Sequence, residues 1–160
     1  MRVGICAVGR MKAGPERDLA DRYLDRFAKS GPAVGLEFSG LNEFAESRAR
    51  GTDERRREES RKIREMQADG AAIFLLDERG KNLTSEAFST AIADLRDQGR
   101  RQLVLVIGGP DGHDPEFRQS AERAISFGAQ TWPHQLVRVM LAEQLYRAAT
   151  ILSGHPYHRA

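Results

Sequence analysis

A single cysteine, Cys6, among 160 residues excludes an internal disulfide and fits a reducing compartment. It sits in an apolar strand pattern and reads as a small core residue rather than a nucleophile. No run is long or apolar enough to span a membrane, and the opening Met1-Arg2-Val3-Gly4-Ile5 reads as a strand instead of a signal peptide, so a soluble, cytoplasmic protein is expected. Neither sign of charge dominates. With 25 basic and 23 acidic residues the formal charge is +2, so any nucleic-acid surface has to be local. Metal-ligand spacing is missing too, since His155 and His158 alone are too few for a zinc site. No Gly-x-Ser-x-Gly elbow or Cys/His pair stands out, and there is no repeat or low-complexity linker. The length suits one domain spanning 1–160.

What the chain does have is a stretch around which the rest is arranged. Leu103-Val104-Leu105-Val106-Ile107 runs straight into Gly108-Gly109-Pro110-Asp111-Gly112. A strand apolar on both faces suits a central, covered place in a parallel sheet. Beyond the carboxyl end of such a strand lies the crevice where open α/β sheets bind ligands. The glycines allow the backbone to turn and offer bare N–H and C=O groups, so the run reads either as a cofactor loop or as a plain tight turn.

Other elements alternate around it. Residues 2–8 form a first strand ending at Gly9, and Pro15 opens a helix with Leu19, Tyr23, Leu24 and Phe27 at helical spacing, stopped by Ser30-Gly31-Pro32. Val34, Leu36 and Phe38 alternate as a second strand, followed by a looser connection from Gly40 to about Thr52. Residues 53–67 are charged nearly throughout and, with pairs such as Glu58 and Lys62, predict a helix with a solvated face; Arg55, Arg56, Arg57, Arg61 and Arg64 also permit a basic edge for RNA. Residues 71–76 form a third strand that stops at Asp77, and Thr84 and Ser85 cap a helix carrying Phe88, Ile92 and Leu95. Asp114-Pro115-Glu116 starts another helix, and a short strand lies around 125–127. The final helix, about 134–152, is apolar on more than one stripe, so both the sheet and a second copy of the chain are expected to cover it. The fold class is therefore α/β, with a mostly parallel sheet of about five strands flanked by helices.

The loops narrow the ligand. Residues 108–112 lack the Lys-Ser/Thr of a Walker loop, and Val8-Gly9-Arg10-Met11-Lys12 carries only one of the glycines of a dinucleotide fingerprint. What remains is a ligand held largely by main-chain groups from three loops, 76–81, 107–112 and 127–133, with Leu76, Phe127 and Trp132 as apolar walls.

Four motifs in order then carry a resemblance: Ile107-Gly108-Gly109-Pro110-Asp111-Gly112, Trp132-Pro133-His134-Gln135-Leu136-Val137-Arg138, Glu143-Gln144-Leu145-Tyr146-Arg147-Ala148, and the terminal His155-Pro156-Tyr157-His158-Arg159. Together they resemble the bacterial ribosomal RNA large-subunit pseudouridine N3-methyltransferase family, of the SPOUT or α/β-knot class. The resemblance runs from Ala7-Val8-Gly9 to the last residues and is least distinctive over 40–70. It implies a C-terminal trefoil knot, which general folding rules disfavour, and S-adenosyl-L-methionine held by Leu76, Gly108, Phe127, Gly128, Ala129, Gln130, Thr131 and Trp132. It implies a homodimer acting on N3 of a pseudouridine in 23S rRNA of the assembled ribosome, with neither membrane nor DNA as partner and no metal. His134, Arg138, His155, Tyr157, His158 and Arg159 are the catalytic candidates around the base. A non-catalytic ribosome-binding factor on the same fold is the alternative, and an unrelated nucleotide-binding protein a third reading.

Overall fold

The computed structural model describes residues 1–158. Five strands form one sheet: β1 (Arg2–Val8), β2 (Glu37–Phe44), β3 (Ala72–Asn82), β4 (Gln102–Ile107) and β5 (Arg123–Ser126), in the order β2-β1-β4-β3-β5. Every pairing is parallel, so all five strands end at the same side of the sheet. Five helices connect and cover them: α1 (Pro15–Ser30), α2 (Thr52–Glu65), α3 (Ser85–Asp97), α4 (Pro115–Ser120) and α5 (His134–Leu152).

The double-sided apolar character of β4 has a direct cause. Leu103, Leu105 and Ile107 join a core with Phe27 of α1, Ile92 of α3 and Leu141 and Leu145 of α5, whereas Val104 and Val106 point the other way, onto Ile63 of α2 and Phe117 of α4. Helices thus cover both faces. Cys6 belongs to the second layer, and burial pushes its thiol up to about 11. Local signals set the helix starts: Thr84 Oγ1 accepts from Ala87 N–H at 3.1 Å, and Asp114 Oδ2 accepts from Phe117 N–H at 3.1 Å.

Three boundaries differ from the sequence reading. Val34 lies in a short 3-10 turn, Gly31–Val34, and β2 extends through residues 40–44, where pairing with Gly4 to Val8 of β1 overrides weak local propensity. β3 does not end at Asp77. It pairs with β5 through Leu76, breaks register, and resumes at Lys81, so residues 77–80 bulge beyond the sheet edge. The last strand begins two residues before Ile125, at Arg123.

On α5, Arg138, Leu141, Ala142, Leu145, Ala148 and Ala149 form one buried face at i, i+3, i+4, i+7 spacing. Val137, Val139, Met140, Ile151 and Leu152 are only partly buried, and Leu136 and Trp132 are exposed. Among the described residues no helix is long and apolar enough to cross a membrane.

Candidate functional site

At the carboxyl side of the sheet the ends of β3, β4 and β5 open into one cavity of about 370 Å³. Its walls are the 77–80 bulge with Leu76, the glycine loop 108–112, and the bend after β5 with Phe127, Gly128, Gln130, Thr131 and Trp132. His134 and Val137, in the first turn of α5, close it. The three loops expected to share a ligand therefore do meet, because parallel strands bring their ends together. The volume lies in the range of small-ligand sites.

Each bend is held from outside. After β5, Ser126 Oγ donates to Gly128 O at 2.7 Å and accepts from Gly128 N–H at 3.2 Å, while Gly128 takes φ 117, a conformation that favours glycine. Trp132 Nε1 donates to Phe127 O at 3.3 Å, which lays the indole along the wall. At the 77–80 bulge, the Asp77 side chain is only 4% exposed and accepts from Arg118 Nε at 3.0 Å and Arg79 N–H at 2.8 Å. Burial opposes its ionisation, but these donors outweigh it and hold the carboxyl below the usual carboxylate range.

The glycine loop has two supports. His113 is buried, its Nε2 lies 2.8 Å from Leu76 O, and its ring packs against Gly108. Burial lowers the pKa of this imidazole, more than Leu76 O and Asp77 raise it. The second support is α2. Arg55 pairs with Asp111 through Nε to Oδ2 at 2.6 Å and Nη2 to Oδ1 at 3.2 Å, and Arg56 Nε donates to Asp111 O at 2.7 Å.

Of the residues singled out from sequence, Leu76, Gly108, Phe127, Gly128, Gln130, Thr131, Trp132 and His134 line the cavity, and Ala129 does not. Arg138 faces elsewhere. Its guanidinium pairs with Glu43 and donates to the carbonyls of Val8 and Gly9, with its side chain 5% exposed. The tail lies at the far end of α5: the Tyr157 ring packs 4.7 Å from that of Tyr146, its hydroxyl donates to Glu143 Oε1 at 3.0 Å, and His158 Nε2 is 2.8 Å from Glu86 Oε1. Burial, and then hydrogen bonding with Tyr23 and Glu143, push the Tyr157 phenol up. His155 is exposed, and Arg159 lies outside the described residues. Twelve residues separate His134 from Tyr146, about 18 Å of helix, and none of the described tail residues 155–158 lines the cavity.

Sequence reasoning placed Asp77 and Arg79 only within the 76–81 loop and Arg56 only at a basic edge for RNA, and it missed His113. For α2 a signal existed: Arg55, Glu59 and Ile63 recur at i, i+4, i+8, giving an inner face that a charge count hides. Nothing local marked His113. Among the described residues no group of three or more His, Cys, Asp or Glu side chains is placed to hold a metal ion.

The family described as "Predicted SPOUT methyltransferase" matches residues 1–158. The chain is 67% identical over 159 residues to "Ribosomal RNA large subunit methyltransferase H" of Chelativorans sp. (strain BNC1), covering 99% of this chain and 91% of that one. It is 63% identical to the protein of the same name from Mesorhizobium japonicum, over the whole of both chains. Among solved structures it is similar to the A. aeolicus TrmH/SpoU tRNA modifying enzyme, with TM-score 0.47 and 16% identity, over 96% of this chain and 77% of that one. With nearly the whole chain matched, and with relatives of this identity along it, the chain belongs to the SPOUT methyltransferase family.

Proposed function

We propose that this chain, as a single domain spanning 1–160, is an S-adenosyl-L-methionine-dependent methyltransferase that methylates N3 of a pseudouridine in large-subunit (23S) rRNA of the assembled ribosome. The observation that carries the reading is the cavity shared by three bends at the carboxyl end of a parallel sheet. The names of the relatives at 67% and 63% identity support the substrate class. The cavity suits the cofactor: Leu76, Ile107, Phe127 and Trp132 offer apolar walls for an adenine, and the backbone around Gly108 and Gly128 offers hydrogen-bonding groups to its edge. Gln130 and Thr131 complete that contact set, and Ala129 belongs to the same bend through its backbone. When bound, the cofactor supplies an electrophilic methyl group.

The chain's own residues have two tasks. The acceptor N3 is an imide nitrogen that must lose its proton, so alignment comes first and proton removal second. His134 lines the cavity and is the group we assign to take that proton. Arg138 supports this end of α5 without entering the cavity. His155, Tyr157, His158 and Arg159 act on the base held by a second copy of the chain; none of the described residues 155–158 lines the cavity of its own chain. The partly apolar outer face of α5, with Leu136 exposed, supports a homodimer that would set this tail beside the partner's cavity. A trefoil knot formed by the C-terminal segment and a cytoplasmic location with the ribosome belong to the same reading.

The test is mass spectrometry of 23S rRNA from cells lacking this protein. Loss of one N3-methylpseudouridine, restored by purified protein and S-adenosylmethionine on intact ribosomes but not on free rRNA, is the expected result; an unchanged methylation signal rejects the activity.

A further inference from the structure

The charged helix α2 has a role that the proposed chemistry leaves unused. Its outer face carries exposed Arg57, Arg61 and Lys62, as a solvated helix should. Its inner face meets the glycine loop. Arg55 there ties together two segments distant in sequence: besides the two-point contact with Asp111, its Nη1 donates to Ala49 O at 3.0 Å and Arg50 O at 3.1 Å, and its Nη2 to Thr52 Oγ1 at 3.1 Å. A planar guanidinium can serve all these acceptors together, and an ammonium cannot.

One turn later stands Glu59, buried although a carboxylate. Its Oε1 accepts from Ser47 N–H at 2.9 Å. Its Oε2 lies against Gly109 so closely that a Cβ there would come within 2.9 Å of it and 3.1 Å of Val8 Cγ1. Burial raises the pKa of this carboxyl, more than the Ser47 N–H lowers it. A buried acid in such a position is costly for a helix whose only role is to be solvated.

We propose that α2 is a clamp on the cofactor loop, with Arg55 and Glu59 as positioning residues that fix 108–112 in the shape that lines the cavity. Neither side chain is among those lining the cavity, so neither touches the ligand; both act through Asp111 and Gly109, which do line it. This rests on the reading that the cavity holds S-adenosylmethionine. Its physical content is that a glycine-rich loop has no side chains with which to order itself. Without the clamp, binding would have to order the loop and affinity would fall by that cost.

The experiment is titration calorimetry of the full-length protein with S-adenosylmethionine, beside thermal unfolding, for the parent, Arg55→Met, Arg55→Lys, Asp111→Asn, the double variant Arg55→Met/Asp111→Asn, and Arg57→Met as an outer-face control. Arg55→Met and Asp111→Asn should each weaken cofactor binding on the order of tenfold. The double variant should lose little more than either alone, because the two act as one unit. Arg55→Lys should recover only part, and Arg57→Met should bind like the parent. Arg55 is partly exposed, so its variants should fold. Parent-like affinity in Arg55→Met overturns the clamp while leaving the cofactor reading intact. Losses that multiply in the double variant also overturn it. A parent chain that fails to bind S-adenosylmethionine at all rejects the cofactor reading and the clamp together.

Discussion

Arg138 separates two accounts of the same residue, a catalytic group at the base and a strut beneath the site. The structure favours the strut, and Arg138→Met tests it with a calculable consequence. The substitution keeps the apolar stem and removes the guanidinium, which pairs with Glu43 and holds the carbonyls of Val8 and Gly9. Both side chains are well covered, at 5% exposed for Arg138 and 13% for Glu43. Breaking such a pair from one side costs about 3–5 kcal/mol because the remaining charge is stranded. Here the loss lies at the low end, since Glu43 keeps Met11 N–H at 3.0 Å and Arg17 at 3.5 Å. At about 3 kcal/mol, a domain of this size should melt roughly 6–12 °C lower. Arg138→Lys should fall between variant and parent, and adding Glu43→Gln to Arg138→Met should cost less than the two separate losses combined, because the stranded charge is gone. The assay is thermal unfolding at neutral pH followed by circular dichroism, beside methyl-transfer rate measured well below the transition. A variant that melts within about 2 °C of the parent, yet has lost its rate, would refute the strut and return Arg138 to the chemistry.

Three further outcomes follow from the supports of the cavity. Burial keeps the His113 pKa below the 6.5 of a free imidazole, so the unfolded chain takes up the proton first; the contribution of His113 to stability is full above about pH 6.5 and falls as the pH drops below it. His113→Gln, which keeps a donor near Leu76 O but cannot titrate there, should flatten the decline of melting temperature between pH 7 and 5, and an equal slope in both proteins rejects this. Gly80→Ala would place a Cβ 2.5 Å from the carbonyl carbon of Ile125, a backbone atom that cannot rotate away, so the variant should lose about 1–3 kcal/mol and bind cofactor less tightly; unchanged melting and binding would show that the β3–β5 crossing yields to an added methyl group. Deleting 155–160 should abolish methyl transfer while leaving cofactor affinity within about twofold, since Tyr157 and His158 dock on Glu143 and Glu86, neither of which lines the cavity; calorimetry showing loss of both would place the tail in the cofactor site.

The parts of this fold legible in the sequence are those fixed by neighbours along the chain. A strand apolar on both faces, such as 103–107, declares a central place in a covered sheet, and it lies between β1 and β3. Thr84 and Asp114 mark helix starts because their acceptors serve N–H groups only three residues away. The glycine loop and the bend at 127–132 were legible as walls of one site because parallel strands end on one side. What escaped depends on contacts across long separations. The extension of β2 follows from β1 pairing with it, the 77–80 bulge from Ile125 lying against Gly80, and Arg138 from carbonyls 129 and 130 residues earlier. No spacing rule on α5 distinguishes an arginine turned toward a ligand from one turned toward Val8 and Gly9.

The same division explains why the role of the charged helix α2 is hidden in its composition. Holding a residue's backbone in one conformation costs about 1–2 kcal/mol, so a five-residue loop such as 108–112 needs on the order of 5–10 kcal/mol of support. Glycines bring none of it themselves. The support has to come from side chains elsewhere, and it does: Arg55 on Asp111, His113 between Leu76 and Gly108, Arg118 on Asp77 at the next bend, and Trp132 on Phe127 at the third. Charged residues suit this work because hydrogen bonds from a guanidinium to a carboxylate or a carbonyl are strong and directional, and a few of them can fix several residues of main chain. A site built from backbone therefore moves part of its sequence requirements outward, onto side chains such as Arg55 and Arg118 that do not line the cavity. A substitution in α2 or α4 is then as capable of altering affinity as one in the cavity wall, and a count of charges cannot separate such a helix from one that is merely wet.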